Sequence, residues 1–142
     1  MRVKDVLKNK GSGVITVRPD ANCRELIAML ARHNIGAVVV SVDGVAVTGI
    51  VSERDIVRRL YDWGDAVLEG PVSDIASWQV STCSLDDAVD ELRETMTERR
   101  IRHLPVLEDG RLVGIVSIGD VVKSAISQLE FEHQNLLDYV QS

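Results

Sequence analysis

Gly49-Ile50-Val51-Ser52-Glu53-Arg54-Asp55 and Gly114-Ile115-Val116-Ser117-Ile118-Gly119-Asp120 share five of seven residues at an offset of 65. Self-similarity at a fixed period marks a duplicated architecture. Upstream the offset becomes 66 and holds across a whole segment. Thr16 maps to Thr82, Asp20 to Asp86, Leu26 to Leu92, Ile35 to Ile101 and Val40 to Val106. Asp43-Gly44 maps to Asp109-Gly110, and the one-residue slip falls just after it, where a loop tolerates insertion. The lead-ins correspond too, Val3-Lys4-Asp5-Val6 with Val72-Ser73-Asp74-Ile75, so the boundary lies near Glu69-Gly70-Pro71.

Each half predicts the same elements. A short strand, over 14–17 and over 80–83, precedes a helix. Cys23, Leu26, Ile27 and Leu30 make one apolar helical face, and Val89, Leu92 and Met96 repeat it. Ser84 followed by Asp87 is a helix-start signal for the second. Two strands then flank an Asp-Gly turn, 37–42 with 45–51 and 103–107 with 111–116. Pro105 lacks an N–H, so its strand is expected at an edge or starting there. A helix closes each half, from near Ser52 and near Ser117. The order β-α-β-β-α occurs twice. Neither half can cover both faces of its sheet, so the two are expected to pack sheet to sheet with pseudo-twofold symmetry. The expected units are 1–70, 71–128 and a C-terminal helix extension over 129–142.

The 142 residues are 45% hydrophobic and 27% charged, ordinary for a globular α/β protein. Aromatics are 4%, so the core is aliphatic and stacking platforms for single-stranded nucleic acid are scarce. The net charge of -6 argues against binding nucleic acid or a membrane surface. Cys23 and Cys83 stand 60 residues apart, which is no metal-ligand spacing, and the three histidines are scattered, so no metal is expected. No apolar run is long enough to span a bilayer and no signal sequence is seen, which leaves a cytoplasmic location as the expectation. There is no P-loop or nucleophile set, so no catalytic residue is expected and the chain does not read as an enzyme.

The duplicated β-α-β-β-α unit closed by Gly-Ile-Val-Ser-x-x-Asp resembles the CBS-domain pair, or Bateman module. The run from Arg99 to Val106 is similar to the strand entry of many second repeats of that family. The resemblance covers roughly residues 1–128. It implies a regulatory module that binds adenine nucleotides (AMP, ADP, ATP or NAD(H)) between the repeats, senses energy or redox state, and controls a separate enzyme or transporter. It implies a stand-alone pair that associates as a homodimer.

Ser52/Asp55 and Ser117/Asp120 fit a capping box on spacing alone. The same geometry aims helix N–H groups at an anion, and the resemblance implies that the aspartate holds a ribose diol with the hydroxyl residue near phosphate. Thr16 and Thr82 read as strand residues; the resemblance implies that they line the clefts. Between them the halves differ. In Ile35-Gly36-Ala37, Gly36 and Ala37 leave room for a base, whereas in Ile101-Arg102-His103, just ahead of Pro105, Arg102 and His103 bring cationic or polar reach to phosphate. Arg54 precedes Asp55, but Gly119 precedes Asp120. Two non-equivalent sites are expected: Thr16, Ile35, Gly36, Ala37, Ser52, Arg54 and Asp55, and Thr82, Ile101, Arg102, His103, Pro105, Ser117 and Asp120. Arg99 and Arg100 suit a solvated helix C-terminus.

From Val121 onward, Val122, Ala125, Ile126, Leu129, His133, Leu136, Leu137 and Val140 make one helical stripe over about 20 residues, ~30 Å. It is longer than one lobe needs. The alternative function is therefore a ligand-free dimerisation or interaction module acting through this helix.

Overall fold

The computed structural model describes residues 1–11 and 13–141. Two three-stranded sheets are present, each with a parallel and an antiparallel pair. The chain runs α1 (Val3–Lys10), β1 (Thr16–Val17), α2 (Cys23–His33), β2 (Ala37–Val40), β3 (Gly49–Ser52) and α3 (Glu53–Trp63). After short 3-10 turns at Asp65–Glu69 and Val72–Asp74 come β4 (Cys83–Ser84), α4 (Val89–Arg99), β5 (His103–Glu108), β6 (Arg111–Ser117) and α5 (Ile118–Gln141). The sheet orders are β1-β2-β3 and β4-β5-β6.

The helices form where capping and apolar spacing agree. Asn22 accepts from the Arg24 N–H at 2.7 Å to start α2, which buries Cys23, Leu26 and Leu30. Ile27, expected on that face, is 37% exposed because the buried stripe is narrower than the sequence implies. Ser52 and Asp55 form a reciprocal capping box on α3. Ser84 and Asp87 instead close a turn, the Ser84 N–H donating to Asp87 at 2.8 Å, and α4 begins later after Ala88.

Alternation along β2 settles the layers. Val38 and Val40 face one helix-covered core with Val51 and Leu26. Ala37 and Val39 point to the opposite face yet are 5% and 0% exposed, so the second sheet covers that face.

The lead-ins cross between the halves. The Val3 and Lys4 N–H groups donate to Asp87 and Leu85 carbonyls, and the Val89 N–H to the Met1 carbonyl. The Val72 and Ser73 N–H groups make the equivalent bonds to Ala21 and Pro19, and Cys23 to Gly70. Thus Val3, Val6 and Leu7 pack in the core of the second sheet, while Val72 and Ile75 pack in that of the first. The helix α1 is absent from the β-α-β-β-α plan because its stripe is completed only by residues of the other half.

Three strand expectations change. The first and fourth strands are two residues each, shorter than 14–17 and 80–83 imply. The Asp109-Gly110 turn, φ 52° and 77°, is the expected tight hairpin. In the first half, strand pairing stops at Val40↔Gly49, and Asp43 organises a longer loop by accepting from the Val45 and Ala46 N–H groups. Pro105 lies in a central strand, not at an edge. It occupies the place of Val39, which pairs with Thr16 in the first sheet. With no N–H at Pro105, that pairing is missing in the second sheet, and β4 starts one residue later, at Cys83↔Val106.

Candidate functional site: a cleft between the repeats

A cavity of about 200 Å³ is lined by Gly36, Ala37, Ile50, Ser52, Glu53, Arg54 and Asp55 of the first repeat and by Arg100, Ile101, Arg102 and His103 of the second. Each lining group arrives by a local device. The loop between α2 and β2 brings Gly36 to the α3 N-terminus, where its carbonyl accepts from the Glu53 N–H at 2.9 Å. The Asp55 N–H goes to Ser52 Oγ at 3.3 Å. Asp55 Oδ2 accepts from the Ser52 N–H at 2.8 Å and from its hydroxyl at 3.1 Å. Capping and an outward-reaching carboxylate coexist, since these bonds use one oxygen of two.

The opposite wall is the end of α4. Arg100 terminates that helix in the left-handed conformation, φ 55°, and the chain then turns into β5. Arg54, Arg100 and Arg102 are exposed and form no ion pair among the described residues. With Glu53 and Asp55 as the carboxylates, the cleft is locally positive on a chain of net charge -6. The volume is below the ~300–1,000 Å³ of sites that enclose a ligand. It has room for only part of a ligand of that class, with the exposed guanidiniums at its mouth.

His103, the first residue of β5, lines this cleft and is half-buried. Burial lowers its pKa below the ordinary 6.5, the Lys10 ammonium acts in the same direction, and the Glu53 and Asp120 carboxylates oppose them. Gly36 is hemmed in from the same side: a Cβ there would sit 3.4 Å from Glu53 Oε1 and 3.7 Å from His103 Cε1.

The two expected residue sets are therefore not kept apart. Gly36, Ala37, Ser52, Arg54 and Asp55 share one cleft with Ile101, Arg102 and His103, because the pseudo-twofold places the loop after α4 opposite the α3 N-terminus. Ile35 packs against the first core. Thr16 lines a separate surface depression with Arg18 and Asp20. Thr82 is exposed ahead of β4, and Pro105 is buried within β5. Ser117 caps α5, its hydroxyl accepting from the Asp120 N–H at 3.1 Å. Asp120 lies in another pocket, of about 160 Å³, with Lys10, Lys123 and Ser124. The cleft also takes in Arg100, Glu53 and Ile50, which the sequence reading does not assign to it. The alignment of Arg100 with Asn34, a helix-ending residue, was the available signal for the arginine.

Among the described residues no cluster could hold a metal ion, and no helix is long and apolar enough to cross a membrane.

The pattern of the CBS domain family matches residues 3–62 and 72–127. The chain is 33% identical to the mitochondrial CBS domain-containing protein CBSX3 of Arabidopsis thaliana over 147 residues, covering 98% of this chain and 71% of that protein. The CBS-domain containing protein ATU1752 from Agrobacterium tumefaciens superposes with a TM-score of 0.84 at 47% identity, over 88% of this chain and 99% of that one. The CBS domain protein PAE2072 from Pyrobaculum aerophilum, complexed with AMP, gives 0.73 at 32% identity over 84% and 89%. The CBS domain pair of protein MJ0100, in complex with 5′-methylthioadenosine and S-adenosyl-L-methionine, gives 0.80 at 26% over 90% and 98%. On the duplicated fold and these matches, the chain belongs to the CBS domain family and carries a tandem pair of its repeats.

Proposed function

We propose that the chain is a regulatory ligand-binding module whose ligand is an adenine nucleotide (AMP, ADP, ATP or NAD(H)), and that occupancy of the cleft is read by a separate enzyme or transporter in the cytoplasm. The observation that carries this is the convergence of Arg54, Arg100 and Arg102, which form no ion pair among the described residues, with the half-buried Asp55 carboxylate across the repeat boundary. Guanidiniums suit phosphate and the carboxylate suits a ribose diol. A ligand held by both repeats favours the closed arrangement of the two, which is how binding changes a surface. The related structures with AMP and with S-adenosyl-L-methionine support an adenosine-bearing ligand.

The test is titration calorimetry of AMP, ATP, NAD and NADH against the wild type and Asp55→Ala. Loss of one charged acceptor is worth ~1.5–3 kcal/mol, or about 10- to 150-fold in dissociation constant. Saturable binding that weakens by that factor supports the reading. Absence of heat with every nucleotide overturns it.

A second reading rests on α5. Ile126, Leu129, Leu136 and Val140 are 51–79% exposed and lie on one stripe. This face fits a homodimer or a partner helix without any ligand. Concentration-dependent sedimentation of wild type and Leu129→Glu tests it: an unchanged monomer in both discards the homodimer.

A further inference from the structure

The two closing aspartates of the repeats have different surroundings. In the first repeat, Asp55 meets Ser52 and no cation among the described residues. In the second, Lys10 Nζ lies 2.7 Å from Asp120 Oδ2 and also donates to the Ile115 carbonyl at 2.9 Å. Lys10 ends α1, the helix that crosses from the first repeat onto the second core.

The difference has a backbone origin. Ile50 and Ile115 are equivalent positions on β3 and β6. Against β3 the crossing lead-in, which comes from the second half, is only a 3-10 turn, after which Ser77 runs along β3 and exchanges both backbone bonds with Ile50, at 3.0 and 2.9 Å. Against β6 the crossing lead-in is the full eight-residue helix α1, and among the described residues no backbone segment pairs with Ile115 on the side away from β5. The Lys10 ammonium satisfies the Ile115 carbonyl instead and, in doing so, lands on Asp120. Both partners are partly shielded, with side chains 38% and 22% exposed.

We infer that Lys10 makes the pair single-sited: it neutralises and covers Asp120, so that a nucleotide is taken only at the Asp55 cleft. This rests on the nucleotide reading above and specifies its stoichiometry. The Ser117 N–H and the Lys10 ammonium both bond Asp120 Oδ2, so it is the ammonium's charge and bulk, not the loss of both oxygens, that sets Asp120 apart from Asp55. Neutralised, the carboxylate is a weaker acceptor for a ribose diol, and a ligand that displaced Lys10 must also strip the Ile115 carbonyl of its donor. Loss of the lysine charge frees the second position.

The experiment is titration calorimetry with AMP and ATP on wild type, Lys10→Gln, Lys10→Met and Lys10→Arg, each first checked for a cooperative melt. The expected stoichiometry is one nucleotide per chain for wild type and Lys10→Arg, and two for Lys10→Gln and Lys10→Met. Asp55→Ala in the wild-type background provides a test that does not depend on Lys10 variants folding: it is expected to leave no stoichiometric site. Two sites in the wild type, one retained in Asp55→Ala, or one in folded Lys10→Gln overturns the inference while leaving the nucleotide reading intact. No binding to any of these proteins overturns both.

Discussion

Arg100 holds in the second repeat the place that Asn34 holds in the first: each ends its helix in the left-handed region, at φ 55° and 52°. Asparagine tolerates that conformation, whereas an arginine there is strained. On the proposed nucleotide reading, the strain at Arg100 is kept for the ligand rather than for stability. Arg100→Gly is expected to raise stability by ~0.5–1 kcal/mol, because glycine adopts the helix-ending geometry freely. The same change is expected to weaken nucleotide binding about 10-fold or more through loss of a charge-assisted contact. Urea unfolding and calorimetry on one protein sample check both signs.

Gly49 and Gly114 are equivalent and both face a crossing lead-in, but they meet different neighbours. A Cβ on Gly49 would lie 2.9 Å from the Ser77 carbonyl and 3.0 Å from the Trp78 ring. That carbonyl is fixed by its bond to Ile50, so Gly49→Ala is expected to cost ~1–3 kcal/mol. A Cβ on Gly114 meets the end of the Leu7 side chain at 2.6 Å, which can change rotamer. Gly114→Ala is expected to cost about 1 kcal/mol or less. The urea midpoints of the two variants test this order.

His103 gives a pH signature. Its folded pKa lies below the ordinary 6.5, first because burial penalises the charged ring and second because Lys10 is close, with Glu53 and Asp120 opposing. The unfolded chain therefore binds the proton first as pH falls. The contribution of His103 is complete above 6.5 and is lost as the pH drops from there through the folded value. Stability is expected to decline on acidification through this window, and His103→Gln is expected to flatten the slope. Thermal melts between pH 8 and pH 5 measure it.

The thiols are expected to be silent in the native state. Burial, with the Asp87 charge adding to it, pushes Cys83 up to about 12, and burial likewise raises Cys23. Thiolate is the reactive form. Neither cysteine should react with a thiol reagent at pH 8 until denaturant is added, and the reaction should then follow the unfolding curve. Fast labelling of the native protein would show that one of the cores opens locally.

Much of this molecule is readable in one dimension. The offset of 65 to 66 residues exposes the duplication. The apolar spacing of Leu26 and Leu30 or of Leu92 and Met96 predicts the paired helices, and Ser52/Asp55 and Ser117/Asp120 mark where α3 and α5 begin, since capping is a local matter of three residues. The chemistry of the candidate groups was legible for the same reason: residue type fixes what Asp55 or Arg102 can bind.

What the sequence could not say is which groups meet. Arg102 and His103 follow Ile101 in the second repeat, yet they face Asp55, because the pseudo-twofold sets the end of α4 against the start of α3. Lys10 meets Asp120 across 110 residues only because α1 crosses to the other core. Local propensity and periodicity are set by near neighbours along the chain. Cleft composition is set by which buried faces complete one another, and for α1 that face belongs to the opposite repeat.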